Sequence, residues 1–227
     1  MCGRFSLNAA EAELRRLFGY DGPPLNLAPR YNIAPTQTTP VVALNREGRR
    51  ALVVMRWGLI PSWAKDMSIG AKMINARAEG VAEKPAFRAA FAKRRCLVPA
   101  DGFYEWQVVA GKAKQPYRIH QPDGAPFAFA GLWEQWRGPE SVVLTFTIIT
   151  TDANDRLRPI HDRMPVILAP AAYALWLDPA TPAEAARALL RPAPSEALVA
   201  EPISTRINNV KNDDPSVWDP PERSKTS

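Results

Sequence analysis

Arg95-Cys96-Leu97-Val98-Pro99-Ala100-Asp101-Gly102-Phe103-Tyr104-Glu105-Trp106 reads as a strand, a turn and a second strand. Cys96–Ala100 is a short apolar run. Asp101-Gly102 punctuates it, and apolar and polar positions alternate after the turn. The same grammar recurs on both sides. Upstream, Val41–Leu44 and Ala51–Trp57 form two strands joined by a turn at Asn45–Gly48. Downstream, Val108-Val109, Gly111 and Pro116–His120 suggest a hairpin, and Asp123-Gly124 turns the chain into Phe127–Leu132. Val142–Thr151 is strongly β-branched, Val166–Leu168 is a short strand, and Ser204–Val210 closes the series. Helices interrupt this pattern irregularly. Asn8 with Glu11 resembles a capping box ahead of Leu14, Leu17 and Phe18, and Gly19, Gly22 and Pro23 end that helix. Glu83–Arg95, Ala171–Leu177 and Pro182–Leu190 are the other helical segments. Strands that run from end to end with scattered helices predict one α+β domain rather than regular βαβ units.

Composition narrows the function classes. The chain has 227 residues, 46% hydrophobic and 23% charged, with a net charge of +6 that favours an anionic partner. Its two cysteines, Cys2 and Cys96, exclude a disulfide scaffold and fit a reducing compartment. The N-terminus has no apolar signal region and no run approaches a membrane span, so a cytoplasmic protein without membrane association is expected. The 23 prolines imply many fixed turns.

The candidate chemistry begins at Met1-Cys2-Gly3-Arg4. Trimming of Met1 makes Cys2 the mature N-terminus, with an α-amine and a thiol on adjacent carbons. Their ordinary pKa values are about 8 and about 8.5, so near neutral pH each has a nucleophilic form. Such an aminothiol suits an aldehyde: the amine condenses to a Schiff base and the sulfur closes a thiazolidine ring on the same carbon. Three polar residues sit where an apolar pattern does not need them: Asn75 between Ile74 and Ala76, Glu105 between Tyr104 and Trp106, and His161 in a loop. Partial desolvation of Glu105 raises its pKa toward acid–base work. Each also has a plainer reading, as a turn cap, an exposed strand carboxylate and a backbone-bonded ring. Arg4, Arg77 and Arg163 lie close in sequence to these candidates, as a phosphate backbone requires. Arg56–Lys65, with Trp57 and Trp63, reads as a long surface loop whose aromatics either pin it to the core or stack on bases. Cys2, Cys96, His120 and His161 show no zinc-ligand spacing, and no glycine-rich phosphate loop is present, so neither a metal nor a cofactor is expected.

Together Met1–Phe5, Tyr31-Asn32-Ile33-Ala34-Pro35, Arg56–Trp63, Asn75–Glu79, Arg95–Trp106, Ile160–Pro165 and Asn209–Asn212 resemble the SOS response-associated peptidase (SRAP) family of abasic-site processing proteins. The resemblance spans nearly the whole chain. It implies a single β-rich domain over residues 1–220, with a twisted, barrel-like mixed sheet and peripheral helices, and a disordered tail at 221–227. It implies that Cys2, freed of Met1 by self-cleavage or by an aminopeptidase, traps the ring-opened aldehyde of an abasic site in single-stranded DNA. Asn75 then orients the N-terminus, Glu105 is the acid–base group, and His161 assists sugar-ring opening. Arg4, Arg77 and Arg163, with Trp57 or Trp63, hold the DNA. The implied protein is a monomer, associated with the nucleoid when DNA-bound. Two rival readings are a Cys-dependent peptidase acting in trans with His161 as base, and a non-covalent single-stranded DNA-binding module.

Overall fold

The computed structural model describes residues 2–109, 111, 113–139 and 141–222. Met1 and most of the expected tail therefore lie outside the described residues. β1 (Phe5–Leu7) leads into α1 (Glu11–Phe18), followed by β2 (Arg30–Ile33), β3 (Thr38–Leu44) and β4 (Arg50–Trp57). β5 (Asn75–Arg77), α2 (Arg88–Lys93), β6 (Arg95–Ala100), β7 (Gly102–Val108), β8 (Lys114–His120), β9 (Phe127–Arg137) and β10 (Val142–Asp152) come next. β11 (Arg163–Pro165), β12 (Ile167–Leu168), α3 (Tyr173–Leu177), α4 (Ala183–Ala188) and β13 (Val199–Pro202) complete the set.

The centre is a closed ring of five strands. β4 pairs with β3, β3 with β6, β6 with β9 and β9 with β10, all antiparallel, and β10 returns to β4 in parallel. Strand direction reverses at every antiparallel contact and must return to itself around a ring. A ring of five therefore needs at least one parallel pair. Here the parallel partners are far apart in sequence, as the long connection between parallel strands demands. β4 covers only Thr145–Phe146 of β10, and β5 takes over the same edge at Ile148–Thr150.

A second, antiparallel sheet in the order β13-β8-β7-β1-β2 lies against this barrel. Its inward face presents Phe5 and Phe103. Phe5 packs edge-on to Trp57 and Phe129, with centroids 5.0 and 5.8 Å apart, and Phe103 meets Phe129 at 5.9 Å. Each fully buried aromatic ring is worth roughly 1.5–3 kcal/mol by area alone. Asp101, at the corner between β6 and β7, joins the two layers. Its buried carboxylate accepts from Ser6 Oγ at 2.6 Å and from the backbone N–H groups of Asn8 and Ala9. The α+β, β-rich, barrel-like architecture expected from the sequence is thus observed.

Four local expectations are corrected. The cap of α1 is Ala10, two residues beyond Asn8, with no side-chain bond, and Asn8 gives its backbone N–H to Asp101. The second helix is only Arg88–Lys93: Pro85 disfavours helical geometry at Lys84, and turns fill the preceding residues. Residues 204–210 are not a strand. Ser204 accepts from the Arg206 N–H and starts a 3-10 turn over Thr205–Asn208, and the edge strand comes earlier, at Val199–Pro202. The segment read as a surface loop is buried from Trp57 to Pro61, while Trp63 is 60% exposed.

Gly58 explains why that segment can dive inward. It has φ +111°, and a Cβ there would collide with the Gly70 carbonyl. Gly48 also has positive φ, +76°, but nothing lies within 4 Å of its would-be Cβ. Gly58→Ala should therefore cost about 3 kcal/mol, combining backbone strain and overpacking, and Gly48→Ala only about 1 kcal/mol. Urea unfolding of the two variants measures the difference; equal losses would refute the close-approach explanation.

Candidate active site

Cys2 lies three residues before the start of β1 and is fully buried. β1 and β7 pair with Phe5 opposite Phe103, and the Tyr104 N–H donates to the Arg4 carbonyl at 3.1 Å. Continuing that register sets Glu105 across from Gly3, next to Cys2. Strand alternation puts Glu105 on the same face as Phe103, at the rim of the barrel contact. From the other layer, β5 delivers Asn75, whose Nδ2 donates to the Cys2 carbonyl at 2.8 Å. Its buried Oδ1 has no partner among the described residues.

Electrostatics confirm the proximity. Burial pushes the Glu105 carboxyl up to about 7, and the Asp162 charge adds to the rise. Burial also pushes the Cys2 thiol far above its ordinary value, and the Glu105 charge pushes it further. The expected free thiolate near neutral pH is therefore absent in the 227-residue chain. Removing a carboxylate's water favours its neutral form, which leaves Glu105 able to give or take a proton near pH 7.

His161 stands on the loop ahead of β11. That loop is tied to β7 by Gln107, which donates to the Pro159 carbonyl at 3.0 Å. The Arg163 N–H donates to His161 Nδ1 at 3.0 Å, with Asp162 Oδ1 2.8 Å from the same nitrogen. Burial lowers the ring pKa, which favours the neutral ring near pH 7. Cys2, Asn75, Glu105 and the His161 loop thus converge from four separate segments.

The residues expected to hold DNA divide. Arg77 is exposed, and it lines a surface recess of about 480 Å³ with Lys84, Glu79, Asp152 and Arg163. Arg163 itself is held by Glu79 at 2.6 Å and Asp152 at 2.7 Å, so a phosphate must compete with two carboxylates. Arg4 points elsewhere: its guanidinium donates to Asn32 Oδ1 at 2.8 Å and to the Ile207 carbonyl at 2.9 Å. Trp57 is fully buried and its indole N–H donates to the Ile74 carbonyl at 2.9 Å, so it offers no face to a base. Trp63 keeps an accessible ring.

Sequence reasoning missed a strap. Asn32 Nδ2 donates to the carbonyls of Ile207, Asn209 and Asn212, and Asp213 accepts from the N–H groups of Tyr31 and Asn32. The Trp106 indole donates to Asn208 Oδ1 at 2.7 Å. The strap covers the back of β7 and fixes Arg4 two residues from Cys2. A polar Asn32 inside an apolar strand was the available signal.

The raised Glu105 pKa fixes a pH dependence. Between about 4.5 and about 7 the folded state holds more protons than the unfolded chain, so stability falls as pH rises through that window. Glu105→Gln should flatten this slope and stabilise the protein above pH 7 by up to about 3 kcal/mol. Melting temperatures of both forms from pH 4 to 8 (about the width of the titration) test it; parallel profiles would contradict a buried, proton-holding Glu105.

Residues 1–210 match the family model described as SOS response associated peptidase (SRAP). The chain is 44% identical over 223 residues to the abasic site processing protein YoaM of Bacillus subtilis, covering 96% of this chain and 98% of the relative. It is 34% identical to the abasic site processing protein HMCES of Gallus gallus, covering 98% of this chain and 78% of the relative. A crystal structure of a protein from Bacteroides thetaiotaomicron superposes with a TM-score of 0.86 at 29% identity, over 96% of this chain and 99% of that one. Several of the motifs that carried the resemblance supply residues of the Cys2 site, and the chain belongs to the SRAP family.

Proposed function

We propose that this chain processes abasic sites by capturing them covalently in single-stranded DNA. The observation that carries the reading is the Asn75 bond to the Cys2 carbonyl, made where Cys2 also feels the charge of Glu105. Three features support it: relatives named for abasic-site processing, a buried Cys2 whose carbonyl accepts from Asn75, and a carboxyl whose pKa is raised to about 7.

The proposed steps balance as follows. Hydrolysis of the bond after Met1 first frees the Cys2 amine; while that nitrogen is an amide it cannot condense with an aldehyde. The neutral His161 ring accepts the C1 hydroxyl proton of the closed sugar and returns it, as the imidazolium, to the ring oxygen while the ring C–O bond breaks, which opens the sugar to the aldehyde. The Cys2 amine adds to the carbonyl carbon, and Glu105 supplies the proton that lets water leave, giving an imine. The Cys2 sulfur then adds to the imine carbon while Glu105 accepts its proton and the nitrogen gains one. The product is a five-membered thiazolidine, formed with net loss of one water. Asn75 keeps the residue oriented throughout. Arg77 and Trp63 are the groups we assign to the strand.

A peptidase acting in trans needs a standing thiolate as its nucleophile, whereas burial and the Glu105 charge hold the Cys2 sulfur protonated; imine formation begins from the amine instead. Cys2→Ser should give at most a labile, borohydride-trappable adduct with abasic single-stranded DNA. A non-removable N-terminal extension should abolish even that. A denaturing gel with and without borohydride reads both, and a stable crosslink from the blocked protein would overturn the aminothiol mechanism. Arg77→Ala should weaken binding to intact single-stranded DNA and reduce the salt slope by about one unit. An unchanged slope would remove Arg77 from the interface.

A further inference from the structure

Few cations around Cys2 are unengaged. Arg163 is paired with carboxylates, Arg30 with Asp213, and Arg4 is bonded to carbonyls and an amide. A denser group of cations outside ion pairs lies at the other end of the barrel. There the β3–β4 turn, the C-terminal ends of α2 and α3, and β9 enclose a cavity of about 730 Å³. Arg46, Arg50, Lys93 and Arg95 line it, against a single lining carboxylate, Asp178. Among the described residues none of the four cations is in an ion pair. Arg50 donates to the Phe18 carbonyl, and the buried Arg95 donates to the carbonyls of Phe91, Trp176 and Asp178. Arg94 and Arg49, the neighbouring cations, take Glu134 and Glu47. Carbonyl dipoles do not cancel a whole charge, so this wall attracts anions. Trp133 and Leu177 add an apolar floor.

We propose that this cavity is a second binding site for phosphate groups, and that its occupant is the same DNA strand some nucleotides away from the captured lesion. The proposal rests on the reading of Cys2 as the site that meets DNA. Arginine clusters suit phosphate oxygens, and a partly exposed tryptophan in a basic recess suits an unpaired base. β4 links the two places: Arg50 lines the cavity, and Trp57, at the strand's other end, bonds to Ile74 beside Asn75. Seven residue steps at about 3.3 Å give a separation of roughly 23 Å, or about seven nucleotides at the rise of a stacked strand. Ligands shorter than that reach one site only.

The test uses the doubly charge-reversed variant Arg46→Glu/Lys93→Glu, both positions being exposed and away from Cys2. Affinity is measured for intact single-stranded oligonucleotides of about 6 and about 30 nucleotides, lengths either side of the estimated span. Wild type should bind the long strand more tightly than added length alone predicts. The variant should bind the short strand normally, lose about tenfold on the long one, and show a salt slope shallower by about two units. Equal binding of the long strand by both proteins would overturn the proposal. So would saturable binding of inorganic phosphate that the variant loses while long-strand affinity is unchanged, which would make this a small-anion site. Crosslinking of a short abasic oligonucleotide is run in parallel. Its failure in wild type would count against Cys2 capture, whereas the length dependence on intact DNA reads the second site alone.

Discussion

The architecture depends on the parity of the barrel. Five strands cannot close with antiparallel pairs alone, so β4 and β10 must run parallel. Their contact is brief, and the rest of that β10 edge is left for β5. That vacancy is what brings Asn75 under the N-terminus. Had the ring contained an even number of strands, no such forced break would place a short parallel segment beside Cys2. The most polar contact in the site thus follows from the closure of the fold rather than from any local signal around residue 75.

The second constraint is burial of a carboxylate. Glu105 sits in a strand whose neighbours carry Phe5 and Phe103 into the barrel contact, and it gives up most of its hydration. Its pKa rises to about 7 for that reason above all. The same burial suppresses the Cys2 thiolate. A base of neutral pKa next to a protonated thiol is a workable pair, because the proton has somewhere to go only when the two are together.

Much of this was legible in the sequence. Strand segments with period-two alternation or β-branched runs appear close to where they were expected, because a half-buried pleated surface selects those side chains. Gly19, with φ +58°, ends α1 as expected, since left-handed geometry is nearly free only for glycine. Asn75, Glu105 and His161 stood out as polar residues in apolar settings, and the structure gathers them around Cys2. Boundaries were less legible. Lys84-Pro85 delayed α2, and the Ser204 side chain turned an apparent strand into a 3-10 turn.

The sequence by itself determined the chemistry on offer: a cysteine at position 2, a few misplaced polar side chains, excess positive charge and the strands to carry them. Only the tertiary structure decided which of these meet. It sent Trp57 into the core, where its indole serves the Ile74 carbonyl, and left Trp63 outside. It turned Arg4 away to grip the strap, and gathered unpaired cations at the far end of the barrel. The reason is physical. Residue type fixes what a side chain can do, whereas burial, pairing and charge compensation are set by neighbours hundreds of positions away in sequence, as with Arg4 and Ile207.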